Sequence, residues 1–197
     1  LSGHFHQSVI SYYVPEIILL PAKSFRQEDA QTIVESIFGK AKQPVTSEPL
    51  QNWQLFLVYR LPQFAYNSLA KNASDHFHSF SAALKTTEEI SKPLLLVDFK
   101  TDRFSAILVA DQKLKLAQIY SYSTGDDVLY WLLKICQQFS ISQQDVHIEL
   151  SGLIEKESAV FSQLHQYFLN IFFSGTNGMK LAEELKQYPE HFFSSLY

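Results

Sequence analysis

Between Pro93 and Phe173 three runs of strand character follow one another before any helix begins, and this succession constrains the fold more than any other feature. Leu94 to Phe99 is a continuous apolar run, Asp102-Arg103 supplies a turn, and Phe104 to Ala110 alternates. Asp111-Gln112-Lys113 supplies a second turn, after which Leu114, Leu116, Gln118 and Tyr120 keep a period of two. Short turns between such runs predict a three-stranded antiparallel meander. Thr124 then stands as an N-cap before a helix from Asp126 to Phe139, whose two leading aspartates suit the positive end of its dipole. A strand from Val146 to Leu150 follows, ending at Ser151-Gly152. Next come a helix from Ser158 to Leu169, a short strand from Ile171 to Phe173 and a loop from Gly175 to Gly178. Met179 to Tyr188 reads as an amphipathic helix halted by Pro189.

The order β-β-β-α-β-α-β-α is the unit repeated in actin-like ATPases, sugar kinases and ribonuclease H-like nucleases, with antiparallel strands leading into right-handed parallel crossovers. The expected fold class is therefore α/β, an actin-like ATPase (ribonuclease H-like) fold with a mixed sheet. Its second half spans residues 93–197, and residues 1–92 are the remainder of the first subdomain. Glu88 to Lys92, charged and closed by Pro93, marks that boundary.

Ahead of it the pattern is sparser. Ser8 to Tyr13 and Glu16 to Leu20 are β-rich around Val14-Pro15, and Phe25 to Phe38 has helical spacing that stops at Gly39. Lys40 to Gln51, with Pro44 and Pro49, reads as a loop, and Trp53 to Tyr59 as a buried strand. A helix from Gln63 to Asn72 is expected, and His76 to Lys85 fits strand or helix. These pieces give β-α-β-α without a meander. A complete two-lobed protein would need about three more strands ahead of Leu1 by the same unit pattern, in line with a first residue that is not Met.

Composition narrows the chemistry. Of 197 residues 46% are hydrophobic, with 16 Phe and 10 Tyr, so a packed core is expected. The net charge of −4 and the lack of a basic run leave no electrostatic footprint for nucleic acid. Cys136 is the only cysteine, so neither an internal disulfide nor a cysteine-based zinc cluster can form, and its apolar helical surroundings suit a buried thiol. A cytoplasmic location is expected. No run approaches the roughly 18 apolar residues needed to span a bilayer, and the first ten residues, with two His, show no charged-then-apolar leader pattern.

A set of motifs resembles a known family. Gln118-Ile119-Tyr120-Ser121-Tyr122 followed by Asp126-Asp127-Val128-Leu129-Tyr130-Trp131-Leu132-Leu133 repeats its pattern of an aromatic pair, a polar link and Asp-apolar-apolar-Tyr-aromatic-Leu-Leu. Ile17 to Pro21 leading into Phe25 is also similar, as are His78-Ser79-Phe80-Ser81 and Leu150-Ser151-Gly152 before Ser158. So is the ending Tyr188-Pro189-Glu190-His191-Phe192-Phe193. The chain thus resembles a Bacteroidetes family of unknown function with an actin-like ATPase fold. The resemblance implies a distant relative of the pilus assembly protein PilM and the division protein FtsA, and it implies no activity.

The fold sets a nucleotide test. Actin-like ATPases carry Asp-x-Gly on the first hairpin, the glycine admitting phosphate to backbone amides and the aspartate positioning metal and water. Here the equivalent is Asp98-Phe99-Lys100, with lysine in place of glycine. The second phosphate loop, normally Gly-Gly, is Ser151-Gly152-Leu153. Lys100, Thr101, Arg103 and Gly152 remain as residues that can contact an anion, and Asp98 as the one catalytic-type residue.

A ribonuclease H-like nuclease would need carboxylates converging on two metals about 4 Å apart. Asp98, Asp126, Asp127, Asp145 and Glu149 are its candidates, although Asp126 and Asp127 are already explained as helix-start residues. His4-x-His6 and His76-x-His78 place ring pairs on one strand face without a third ligand nearby, and surface or terminal histidines are the expectation. No Gly-x-Ser-x-Gly elbow exists. Tyr120, Tyr122, Tyr130 and Trp131 cluster near the helix start, with core packing expected for most.

The resulting expectation is a non-catalytic binding or scaffold protein with a degenerate nucleotide site, no resident cofactor, metal or membrane insertion, and a protein partner. The competing reading is a divergent ATPase that binds ATP and magnesium through Asp98. A nuclease stands third.

Overall fold

A computed structural model describes residues 9–63, 75–85, 87, 91–175 and 181–194. The helix expected from Gln63 to Asn72 lies outside them but for its first residue, as do His4, His6 and most of the Gly175–Gly178 loop. The chain divides into two compact units, Leu1–Thr86 and Thr87–Tyr197.

In the first unit, β1 (Val9–Tyr12) pairs in parallel with β5 (Asp75–His78). Strands β2 (Ile17–Pro21), β3 (Val45–Leu50) and β4 (Leu55–Arg60) form an antiparallel sheet in the order β2-β4-β3. Helix α1 (Ala30–Phe38) lays Ala30 and Val34 on Val58 of β4, flanked by Ile18, Leu20, Phe25, Val45 and Phe56. Its C-terminal carbonyl at Gly39 accepts a 2.7 Å hydrogen bond from the buried Arg60, which also bridges to Glu16 at 2.7 Å.

Strand β3 corrects the loop expected over Lys40 to Gln51. Between Val45 and Leu50 its residues are Thr46, Ser47, Glu48 and Pro49, polar or proline, so the stretch carries little strand signal of its own. Their order comes from β4, with which Val45 to Leu50 stay in register throughout. Pro49, lacking an N–H, is tolerated because β3 is the edge of its sheet. The ambiguous stretch from His76 divides, the strand β5 giving way to helix α2 (Ser79–Lys85).

In the second unit, β6 (Leu94–Phe99), β7 (Arg103–Ala110) and β8 (Lys113–Ser121) form the expected meander. Helix α3 (Gly125–Gln138), β9 (His147–Gly152), helix α4 (Ala159–Leu164) and β10 (Asn170–Phe173) follow. The sheet runs β10-β9-β6-β7-β8, parallel across β10, β9 and β6 and antiparallel across β6, β7 and β8. It is the mixed sheet the strand order predicted.

One sheet face presents Leu95, Val97, Phe99, Phe104, Ala106, Leu108, Ile148 and Leu150, all buried with α3 and α4 residues such as Val128, Leu132, Phe161 and Leu164. Alternation puts Asp98, Glu149 and Ser151 on the opposite face. Cys136 is buried in this core, and burial pushes its thiol up to about 11, so it is a packing residue. Tyr120, Tyr122 and Trp131 pack against the core, while Tyr130 is exposed.

Two helices are shorter than their sequences suggest. Helix α4 ends at Leu164 because β10 must begin at Asn170 to hold its register with β9, and Phe168 still reaches the core through a tightening turn. Of the helix expected over Met179 to Tyr188, the described residues show only the 3-10 turn Glu183–Leu185. Residues from Ala182 through Tyr188 are exposed, so no buried stripe supports a longer helix.

The start of α3 has a reciprocal cap. Asp127 N donates to Thr124 Oγ1 at 3.3 Å, and Asp127 Oδ2 accepts from the backbone of Ser123 and Thr124 at 2.9 Å. These bonds hold the Asp127 carboxyl below its usual range. Thr124→Ala is expected to lower stability by about 1 kcal/mol, read as a reduced denaturant midpoint with unchanged slope. An unchanged midpoint would mean that α3 does not depend on its cap.

Candidate functional site

Strands β6 and β9 run parallel and end side by side, at Phe99 and Gly152. The carboxyl ends of parallel strands are where open α/β sheets place ligands, and most of the sequence-derived candidates meet there. Asp98 lies opposite Ser105 on β7 and Ser151 on β9. Its carboxylate is engaged at both oxygens. Ser151 Oγ donates to Oδ1 at 3.0 Å, and Lys100 Nζ lies 2.8 Å from Oδ2. The Asp98 side chain is only 15% exposed and that of Lys100 34%.

The hairpin between β6 and β7 closes on itself. Lys100 N donates to Arg103 O at 2.8 Å, Tyr122 Oη donates to Lys100 O at 2.9 Å, and Tyr122 N donates to Asp102 O at 3.1 Å. The Tyr122 phenol is pushed up by burial and then by the charge of Asp102. Arg103 is held by Asp102 next to it, at 3.2 Å from Nε and 3.3 Å from Nη2. Thr101 is exposed at the tip.

Gly152 has φ +76°, and a Cβ there would lie 2.2 Å from Phe99 O and 2.6 Å from Asp98 Oδ1. Glycine is needed so that β9 can leave the sheet against the β6 backbone. The two amides beyond it are taken internally, Leu153 N by Phe99 O at 2.8 Å and Ile154 N by Gly152 O at 2.9 Å.

Beside these strand ends is a cleft of about 300 Å³ lined by Phe99, Tyr122, Leu153, Ile154, Val160 and Phe192, with Glu155 and Ser158 as its polar side chains. Ser158 caps α4 by accepting from Phe161 N at 3.2 Å. His191, stacked on Phe173, bonds through Nε2 to Ile154 O at 2.6 Å and ties the C-terminal turn to the loop after β9. Sequence reading missed Ser151 as the partner of Asp98. The one available signal was a hydroxyl residue before the strand-ending glycine.

The other carboxylates do not join Asp98. Asp126 accepts from Gln163, Asp127 caps α3, and Asp145 is exposed in the turn before β9. Glu149 shares the Asp98 face but pairs in register with Leu96, and burial raises its carboxyl. Among the described residues, no group of three or more His, Cys, Asp and Glu is arranged to hold a metal.

A second polar cluster lies in the first unit. Glu48 on β3 accepts hydrogen bonds from Tyr59 on β4, from Ser81 on α2 and from the His78 backbone at 2.8 Å. His78 corrects the surface reading of its pair. It is fully buried against Tyr59 and Phe80, whereas His76 is exposed beside Tyr12. Phe80 N donates to His78 Nδ1 at 3.1 Å, so Nε2 carries the ring proton and donates to Val14 O at 3.0 Å. With both nitrogens committed, the ring joins α2 to the segment after β1.

The fold is shared with solved structures. A Bacteroides thetaiotaomicron protein with actin-like ATPase fold and unknown function aligns with a TM-score of 0.77 at 15% identity, over 88% of this chain and 70% of that one. A chain from the PilM–PilN type IV pilus biogenesis complex aligns with a TM-score of 0.53 at 13% identity, over 91% of this chain and 73% of that one. The fold is therefore that of the actin-like ATPases. Comparison with curated protein sequences finds no match. The family model described as "Protein of unknown function (DUF3822)" matches residues 1–171, and the chain belongs to that family.

Proposed function

We propose that the chain is a non-catalytic binding or scaffold module, an actin-like fold whose nucleotide position is closed by its own residues and whose partner is a protein. The observation that carries this reading is the Asp98 carboxylate, held by Lys100 at 2.8 Å and by Ser151 at 3.0 Å. On this reading the residues do not fit a magnesium nucleotide. Metal would have to displace the ammonium, and phosphate would find the Lys100, Leu153 and Ile154 amides already bonded to carbonyls. Residues 93–197 then form the second actin-like subdomain, and residues 1–92 the remainder of the first.

A protein partner is supported by the PilM structure, which was solved as a complex with PilN. Among the described residues no helix is long and apolar enough to cross a membrane. The position of Asp98 at the carboxyl end of β6 favours one competing reading, an ATPase that binds Mg-ATP through Asp98 with Lys100, Thr101, Arg103 and Gly152 around the phosphates. Isothermal titration with Mg-ATP separates the two. The scaffold reading expects no binding heat in the micromolar range, and micromolar affinity would overturn it.

A further inference from the structure

The closed site has a specific agent. From the Lys100–Asp98 geometry we infer that the Lys100 ammonium is a tethered counter-ion occupying the cation position beside Asp98. Divalent metal is thus held off by the chain's own charge and not by loss of the ligand. The inference rests on the reading above in taking Asp98 as the residue that would face a metal.

A carboxylate only 15% exposed needs a compensating charge. The hydroxyl of Ser151 at Oδ1 supplies a hydrogen bond without charge, and the ammonium at Oδ2 supplies the charge, at a distance typical of a charge-assisted bond. The lysine is held for this task from both sides of its backbone, by Arg103 O on its N–H and by Tyr122 Oη on its carbonyl. Its side chain therefore starts from a fixed Cα, two residues from Asp98, and needs no capture from solution.

A divalent cation at Oδ2 would sit within a few ångströms of that ammonium and be repelled by it. Asp102 is paired with Arg103, and the described residues contain no three-ligand group. Magnesium binds through one or two carboxylates and several waters, so the single Asp98 carboxylate would suffice for weak binding once the ammonium is gone.

The test is a manganese titration of the full chain, followed by paramagnetic broadening of the Phe99 and Ser151 amide signals. Wild type and Lys100→Arg, which keeps the charge, are expected to resist broadening at concentrations that broaden these signals in Lys100→Met. The expected gain in apparent affinity is about tenfold or more. Adding Asp98→Asn to Lys100→Met should remove the gain. Lys100→Gln serves as a second neutral variant should Met perturb the hairpin, and an otherwise unchanged amide spectrum establishes folding. Equal broadening in wild type and neutral variants would overturn the inference, as would no site-specific broadening in either neutral variant. Absence of Mg-ATP binding in wild type combined with no manganese gain in the variants would leave the scaffold reading standing and remove this one.

Discussion

Gly152→Ala is expected to cost the second unit about 3 kcal/mol, near the upper end of what most single substitutions do. Two separable terms add. At φ +76° an alanine sits in the left-handed region, which costs about 1–2 kcal/mol for a residue with a Cβ. The new methyl would also stand 2.2 Å from Phe99 O and 2.9 Å from Phe99 N, both backbone atoms of the central strand, which cannot swing aside as a side chain would. Relief requires β6 and β9 to part at their ends. That movement breaks the 2.8 Å bond from Leu153 N to Phe99 O, a loss of about 1 kcal/mol or more if the groups stay buried. It also shifts Ser151 from Asp98. Gly39 provides the comparison, since it too has positive φ, +84°, but a Cβ there meets nothing within 4 Å. Gly39→Ala should show only the conformational cost of its own backbone, φ +84° and ψ 166°, about 1–3 kcal/mol. Denaturant unfolding reads the difference, with amide exchange of β6 and β9 reporting Gly152→Ala and that of α1 and β4 reporting Gly39→Ala in the first unit. If Gly152→Ala costs no more than Gly39→Ala, the close strand approach is not what demands glycine.

Much of the second unit was legible because its signals are local. The run from Phe104 to Ala110, a strand as expected but buried along both faces where alternation was expected, the turn at Asp111-Gln112-Lys113 and the Thr124 cap each act within a few residues of chain. They agree with the order in which the strands pair. Strand β3 was illegible for the opposite reason, since Val45 to Leu50 become a strand only through the partner β4. The helix expected after Met179 shows the converse error. Its spacing suited an amphipathic helix, but among the described residues from Ala182 onward no apolar stripe is buried, and without burial a short helical run falls below what propensity sustains.

The site divides in the same way. Asp98, Lys100 and Gly152 could be located from sequence because the strand pattern places them at strand ends. What the structure added was pairing. Ser151 meets Asp98 across 53 residues of sequence and Ser81 meets Glu48 across 33. Lys100 reads in sequence as the lysine standing where a phosphate-loop glycine is expected, and in the structure it is the partner of Asp98. The lone glycine read as half of a phosphate pair has a packing role that depends on β6, 53 residues earlier at the Phe99 pairing.

The buried His78 ring carries the second large prediction, a loss of stability in the first unit on mild acidification. The ring is fully buried, and burial pushes its pKa down to about 4, only partly opposed by its bond to the Val14 backbone. In the unfolded chain the same ring titrates near 6.5. Between these values the unfolded chain binds the proton and the folded one does not, so stability falls as pH falls from about 6.5 to about 4 and is fully present above that window. The difference of roughly 2.5 units corresponds to about 3 kcal/mol. The structure explains the resistance to protonation. Nδ1 already accepts from Phe80 N, so a proton there would lose that bond and place charge among Tyr59 and Phe80. The Glu48 carboxyl, which accepts from the His78 backbone, is also occupied by Tyr59 and Ser81. His78→Gln should destabilise the unit at pH 7 and flatten its stability profile between pH 6.5 and 4, so that the two curves converge as acid is added. Ring proton chemical shifts supply the direct measurement. A His78 signal titrating near 6.5 in the folded protein would show that the ring is not held neutral by burial.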